Sequence, residues 1–131
     1  MQKLKSCLQK LEPLKKKTIE DIDTEPYLKD IIERNFEVAA QCILDISNRV
    51  IADMQGERPT DYFTGILILG DYNVLPKAFA KKLAPVAGLR NILVHQYLDL
   101  DWHRMLNHLN NLSDLYKFID YIEQWQRNRN H

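Results

Sequence analysis

Leu4, Leu8, Leu11 and Leu14 recur every three or four residues, the spacing that lines one face of an α-helix. This predicts a first helix over residues 2 to about 22, bent or interrupted at Pro13, whose ring cannot continue the hydrogen-bond ladder. Asp23 or Thr24 can cap a second helix, with Pro26 tolerated in its first turn. Leu28, Ile31, Ile32, Asn35, Ala39, Cys42, Ile43, Ile46 and Val50 then keep the helical period. That helix should run to about Met54 and stop at Gly56-Glu57-Arg58-Pro59.

Thr60 or Asp61 can cap a short helix carrying Tyr62, Phe63, Ile66, Leu67 and Leu69. Ile66-Leu67-Ile68-Leu69 is also β-rich, yet no other segment offers a partner strand and an isolated strand is unstable. Gly70 to Asn73 reads as a turn. Pro76 can start the next helix through Phe79, Leu83 and Val86, which Pro85 bends or splits before the pattern resumes through Leu89, Ile92 and Leu93. Leu98-Asp99-Leu100-Asp101 is a short connection with a capping Asp. A last helix carries Trp102, Met105, Leu106, Leu109, Leu112, Tyr116, Ile119 and Ile122, and the polar tail from Gln124 to His131 is expected to fray. The pattern as a whole predicts an all-α, up-and-down bundle of four to five helices in a single domain over residues 1–131.

Lys plus Arg equal Asp plus Glu at 18 each, so no global field draws in a polyanion. Any nucleic-acid binding must then rest on a local basic site or an assembled cleft. The lysines at 3, 5, 10 and 15 to 17 leave no uninterrupted apolar core for a signal peptide, and the apolar run from Gly65 to Gly70 is too short to cross a bilayer. The expectation is a cytoplasmic protein with no membrane partner. Cys7 and Cys42 stand far apart with no second pair and read as reduced cysteines on helix faces.

The chemistry concentrates in Arg90-Asn91-Ile92-Leu93-Val94-His95-Gln96-Tyr97. Arg can stabilise charge on a phosphoryl group, and His can move protons near neutral pH. Cleavage of RNA by its own 2′-hydroxyl needs a base, a cation for the phosphorane and an acid for the leaving 5′-oxygen, so this pair is the minimum equipment for cutting RNA without a metal. On a straight helix Arg90 and Tyr97 share a face while His95 stands about 140° from Arg90. Either the helix ends between Arg90 and His95, or two chains pair and line one cleft with both motifs. Two chains would also supply two histidines, a base and an acid. Asn91 could position a phosphate, and Arg34, in Glu33-Arg34, could point into the same cleft.

A bare Arg-x4-His is common in helical proteins, usually as surface residues. Tyr97 alone reads as a half-buried residue with its hydroxyl at the rim. His103 and His108 read as solvated positions of the last helix, their five-residue spacing ill suited to one metal, and Lys15 to Lys17 read as a solvated face. No Walker loop, dinucleotide glycine pattern, nucleophile elbow or His-Glu-x-x-His occurs, so neither a cofactor nor a metal is expected.

The block from Gly88 to Tyr97 resembles HepT, a toxin family of the HEPN ribonuclease superfamily. The superfamily motif is Arg, four to six residues, then His; the HepT version has four and continues as His-x-Tyr, as here. Ile32-Glu33-Arg34, Asp61-Tyr62-Phe63 and Asp99 to Trp102 also sit where that family has similar segments, so the resemblance spans roughly residues 25 to 125. It implies a metal-independent endoribonuclease, the toxin of a type VII toxin–antitoxin system, built as an all-helical homodimer with a composite site at the interface. Arg90 and His95 match the catalytic pair. Tyr97 matches the tyrosine that the cognate antitoxin MntA, a minimal nucleotidyltransferase, adenylylates from ATP. A second expectation stands beside it: a noncatalytic partner subunit of a nucleotidyltransferase, binding a nucleotide or substrate without cutting. A purely structural dimerisation module would not need Arg, His and Tyr together.

Overall fold

The computed structural model describes residues 1–95 and 100–129, with His95 described by its backbone alone. Among the described residues the regular elements are all helical: α1 (Gln2–Leu11), a 3-10 turn (Glu12–Leu14), α2 (Ile19–Thr24), α3 (Tyr27–Asp53), α4 (Tyr62–Asp71), α5 (Lys77–Leu83), α6 (Val86–His95), α7 (Trp102–Asn110) and α8 (Leu112–Arg129). The expected first helix falls into α1 and α2, the fourth into α5 and α6 and the last into α7 and α8, while α3 and α4 stay single. Ile66 to Leu69 are helical, as the lack of a partner strand required.

The first rod is interrupted more than its leucines suggested. Pro13 sits in the 3-10 turn, and a new helix starts after Thr18. There the Asp21 N–H donates to Thr18 Oγ1 (3.2 Å) while Asp21 Oδ2 accepts from the Thr18 N–H (2.9 Å), a reciprocal cap that satisfies two orphan donors. The expected cap of α3 by Asp23 or Thr24 is not formed. Pro26 takes the N-cap position without a side-chain cap, and Thr24 instead donates back to the carbonyls of Glu20 (3.0 Å) and Asp21 (3.2 Å). The last helix is two, with the Asn111 amide returning to the Asn107 carbonyl (2.9 Å) at the break. The tail expected to fray from Gln124 is helical to Arg129. Arg129 lies 4.8 Å over the Trp125 ring and donates to the Asp53 carbonyl (3.4 Å), contacts that hold the last turn onto α3.

Two helices end in the same way. The Gly56 N–H reaches back to the Ile51 carbonyl (2.9 Å) and Gln55 to Ala52 (3.0 Å), with Gln55 left-handed at φ 59°. The Val74 N–H reaches Leu69 (2.9 Å) and Asn73 reaches Gly70 (3.2 Å), with Asn73 at φ 60°. Both are Schellman endings. The left-handed position after α3 is Gln55, not the adjacent Gly56 that marked the stop in sequence.

One apolar cluster runs through the bundle. Leu4, Leu8 and Leu11 of α1, Ile32 and Ile43 of α3, Ile66 and Leu69 of α4, and Phe118 of α8 are all fully buried in it. Helix α3 is the central rod, packed by α1, α4 and α6. A methyl added at Gly70 would stand 3.0 Å from the Ala80 Cβ and 3.3 Å from the Lys77 Cα, so Gly70 lets α4 and α5 approach closely. No helix of the described residues is long and apolar enough to cross a membrane.

Asp61 caps α4 by accepting from the Thr64 N–H (2.7 Å), which is the largest influence holding its carboxyl below the ordinary carboxylate value. A lowered folded pKa stabilises the fold above the unfolded carboxylate pKa, and that contribution disappears as pH falls through the folded value. The gap in melting temperature between the wild type and Asp61→Ala should therefore be constant above about pH 5 and shrink towards pH 3. A gap unchanged down to pH 3, followed by thermal unfolding, would rule out an ionised cap.

Candidate active site

Pro85 separates α5 from α6 and starts the helix that carries the motif. Ala87 and Leu93 anchor α6 in the core, Arg90 lies half-buried at its border, and Asn91 and Ile92 are exposed. The backbone is helical from Val86 to His95 without interruption. The helix does not end between Arg90 and His95, so their register separates them by about 140° around one axis. The side chain of His95 lies outside the described residues. Gly88, Leu89 and Ile92 of α6 border a groove of about 560 Å³ between α6 and α7, also lined by Arg104 and His108.

Arg90 is held from two sides. Its Nε donates to Gln41 Oε1 of α3 (2.8 Å), and its Nη1 donates to Asn91 Oδ1 (3.2 Å). Gln41 in turn donates from Nε2 to Asp45 Oδ1 one turn further on (2.8 Å). The chain Asp45, Gln41, Arg90, Asn91 fixes the guanidinium where α3 meets α6. Guanidinium carries five N–H donors, and the two bonds above leave the rest available to a phosphate oxygen. Asn91 thus supports Arg90 directly. Arg34 lies seven residues before Gln41 on the same face of α3, roughly 10 Å along the axis. It is 70% exposed and pairs with Glu37 (3.5 Å) rather than its neighbour Glu33, so it shares a face with the Arg90 network without touching it.

Tyr97, with Gln96, Leu98 and Asp99, lies outside the described residues. His103 is exposed, and its N–H is taken by the capping Asp101 (3.1 Å). His108 departs from a purely solvated position: its ring stands edge-on to Phe36, with centroids 6.5 Å apart. Partial burial there holds the imidazole below its ordinary value, with a smaller push from the Arg104 charge, although part of the ring stays open to solvent. Lys15 and Lys17 are tied into ion pairs with Glu12 (3.2 Å) and Glu25 (3.8 Å). Cys7 and Cys42 are free thiols raised above the ordinary value, chiefly by burial. Among the described residues no three His, Cys, Asp or Glu side chains group into a metal site.

Gln41 and Asp45 were missed by sequence reasoning. Two polar residues four apart on a helix are an ordinary intrahelical pair, and no local signal ties Gln41 to a residue 49 positions later.

Residues 4–122 match the family model described as ribonuclease HepT-like. The chain is 34% identical over 96 residues to the tRNA nuclease HepT of Aphanizomenon flos-aquae, a match covering 70% of this chain and 64% of that protein, just under two thirds of its length. It is 29% identical over 100 residues to the mRNA nuclease HepT of Shewanella oneidensis, covering 73% of each. The fold matches that of the tri-AMPylated Shewanella oneidensis HEPN toxin in complex with MNT antitoxin, with a TM-score of 0.82 at 23% identity over 93% of this chain and 92% of that one. A toxin–antitoxin crystal structure with AMP-PNP gives a TM-score of 0.79 at 22% identity over 92% of each chain. Sharing this helical fold, and matching the family model over most of its length, the chain belongs to the HepT-like ribonuclease family.

Proposed function

We propose that this protein is the toxin of a type VII toxin–antitoxin pair, a metal-independent endoribonuclease that acts as a homodimer in the cytoplasm. The observation that carries the reading is the clamped, half-buried Arg90 on the same uninterrupted helix as His95. Because their register keeps the two apart within one chain, a second copy is the natural source of a facing imidazole. A two-fold axis beside α6 would give one cleft two arginines and two histidines.

In that cleft a neutral His95 takes the proton of the RNA 2′-hydroxyl, and the oxygen attacks the adjacent phosphorus. The O2′–P bond forms and the P–O5′ bond breaks. The second His95, protonated, gives its proton to the departing 5′-oxygen, and Arg90 stabilises the charge gathered on the phosphoryl oxygens. The products are a 2′,3′-cyclic phosphate and a 5′-hydroxyl. The relatives' names, tRNA nuclease and mRNA nuclease, support RNA as the substrate class. Cleavage of a mixed RNA substrate by the purified protein in EDTA is the test. Absence of cleavage alongside tight nucleotide binding would instead support a noncatalytic partner subunit of a nucleotidyltransferase.

Control follows from the same site. The fold neighbour from Shewanella oneidensis is a tri-AMPylated toxin in complex with MNT antitoxin, which supports a nucleotidyltransferase of that kind as the partner and Tyr97 as its target. Each adenylate would add bulk and negative charge at a site built to attract phosphate. Incubation with such a partner and ATP should add adenylate mass to the wild type and none to Tyr97→Phe, and should silence only the former. Modification of Tyr97→Phe at wild-type levels would remove Tyr97 from the role.

A further inference from the structure

We infer that Gln41, held by Asp45, is the positioning residue for Arg90, a neutral clamp that fixes the guanidinium while leaving its whole charge to the RNA phosphate. This rests on the ribonuclease reading above. Arg90 Nε can only donate, so Gln41 must present Oε1 to it; an ionised Asp45 can only accept, so Gln41 Nε2 must face Asp45. Both bonds are 2.8 Å, and one amide orientation satisfies both. The amide cannot turn over without losing two hydrogen bonds at once.

The choice of an amide has a chemical reason. A carboxylate at position 41 would hold Arg90 at least as firmly, but its charge would offset the cation just where the phosphorane needs it. The amide supplies the geometry without the charge, and Asp45 stands one hydrogen bond further back. Asn91 takes a donor on the other side, so the guanidinium is fixed in rotation as well as position. Its Nη2 has no partner among the described residues and remains for the phosphate oxygen. Preorganisation of this kind acts on the transition state, so it should appear in kcat rather than in RNA binding.

The experiment measures steady-state RNA cleavage by full-length variants. Gln41→Met keeps the side-chain length and removes both hydrogen bonds. It should lower kcat by about 10- to 100-fold with KM within about twofold. Gln41→Glu keeps the acceptor but adds a charge, and should lower kcat while raising KM. Asp45→Asn keeps an acceptor for Gln41 and should be close to wild type, whereas Asp45→Leu should lose several-fold in kcat. Adding Gln41→Met to Arg90→Ala should cost nothing further, because the residue it positions is already gone. An inactive Arg90→Ala alongside an undiminished kcat in Gln41→Met would overturn the clamp and leave the ribonuclease reading standing. Wild-type cleavage by Arg90→Ala would overturn that reading itself. A merely structural tie between α3 and α6 would lower the melting temperature of Gln41→Met and leave kcat of the folded fraction unchanged, which also overturns the clamp. Asp45→Leu, altered at an exposed position, keeps the test available if Gln41→Met folds poorly.

Discussion

Arg90→Ala and His95→Ala should each reduce RNA cleavage in EDTA by at least about 10²-fold. Removing one preorganised donor from a developing oxyanion typically costs ~10²–10³ in kcat, and loss of a general acid or base costs ~10²–10⁴. The two losses should differ in kind. Arg90→Ala removes charge stabilisation and should flatten no limb of the pH–rate profile. His95→Ala should abolish the titrating limbs near neutral pH, since in the proposed dimer the same imidazole would serve as base in one copy and acid in the other. Arg90→Lys should recover little: an ammonium cannot donate to Gln41 and Asn91 while still presenting a fork to phosphate. Near-wild-type cleavage by either alanine variant, with melting temperature unchanged, would refute the assigned roles.

Phe118→Ala should have the largest effect on stability. Phe118 of α8 is 0% exposed within the central cluster, and truncating a buried Phe typically costs about 3–5 kcal/mol in lost transfer energy and residual cavity. For a chain of this size that corresponds to a fall in melting temperature of about 10 °C or more. Phe63→Ala is the matched control: Phe63 of α4 is 46% exposed, so truncation there should cost within about 1 kcal/mol. Urea unfolding of the two variants checks the contrast, and equal losses would mean that the packing around Phe118 is wrong. The pair also shows what pattern reading misses, since both residues are phenylalanines in helices with apolar neighbours.

Much of the architecture was legible from local physics. The long periodic run from Leu28 to Val50 is α3, Asp61 (one of the two caps offered) caps α4, Asp101 caps α7 from within the connection expected to hold a capping Asp, and Pro85 parts α5 from α6. Each of these depends on groups only a few residues apart. Thr18 and Asp21 are equally legible as a capping box, hidden only by extending the leucine period of Leu4 to Leu14 on to about residue 22. The break at Asn111 was not legible, because Leu109 and Leu112 keep the period across it. The order of the last turn was hidden for another reason: Arg129 finds its partners in Asp53 and Trp125, one of them across the bundle.

The candidate site divides in the same way. Arg90, Asn91 and His95 announce themselves by residue type and spacing within six consecutive positions, because proton transfer and charge stabilisation demand those side chains wherever they occur. What the linear order could not express is which groups hold them. The packing of α3 against α6 sets Gln41 beside Arg90 across 49 positions, and one continuous helix carries both Arg90 and the backbone of His95. Helical period and caps are decided by neighbours along the chain, so the sequence alone determined an all-helical bundle carrying an Arg–His motif. The direction in which a guanidinium is held depends on burial and on contacts between distant segments, and these exist only once the helices have packed.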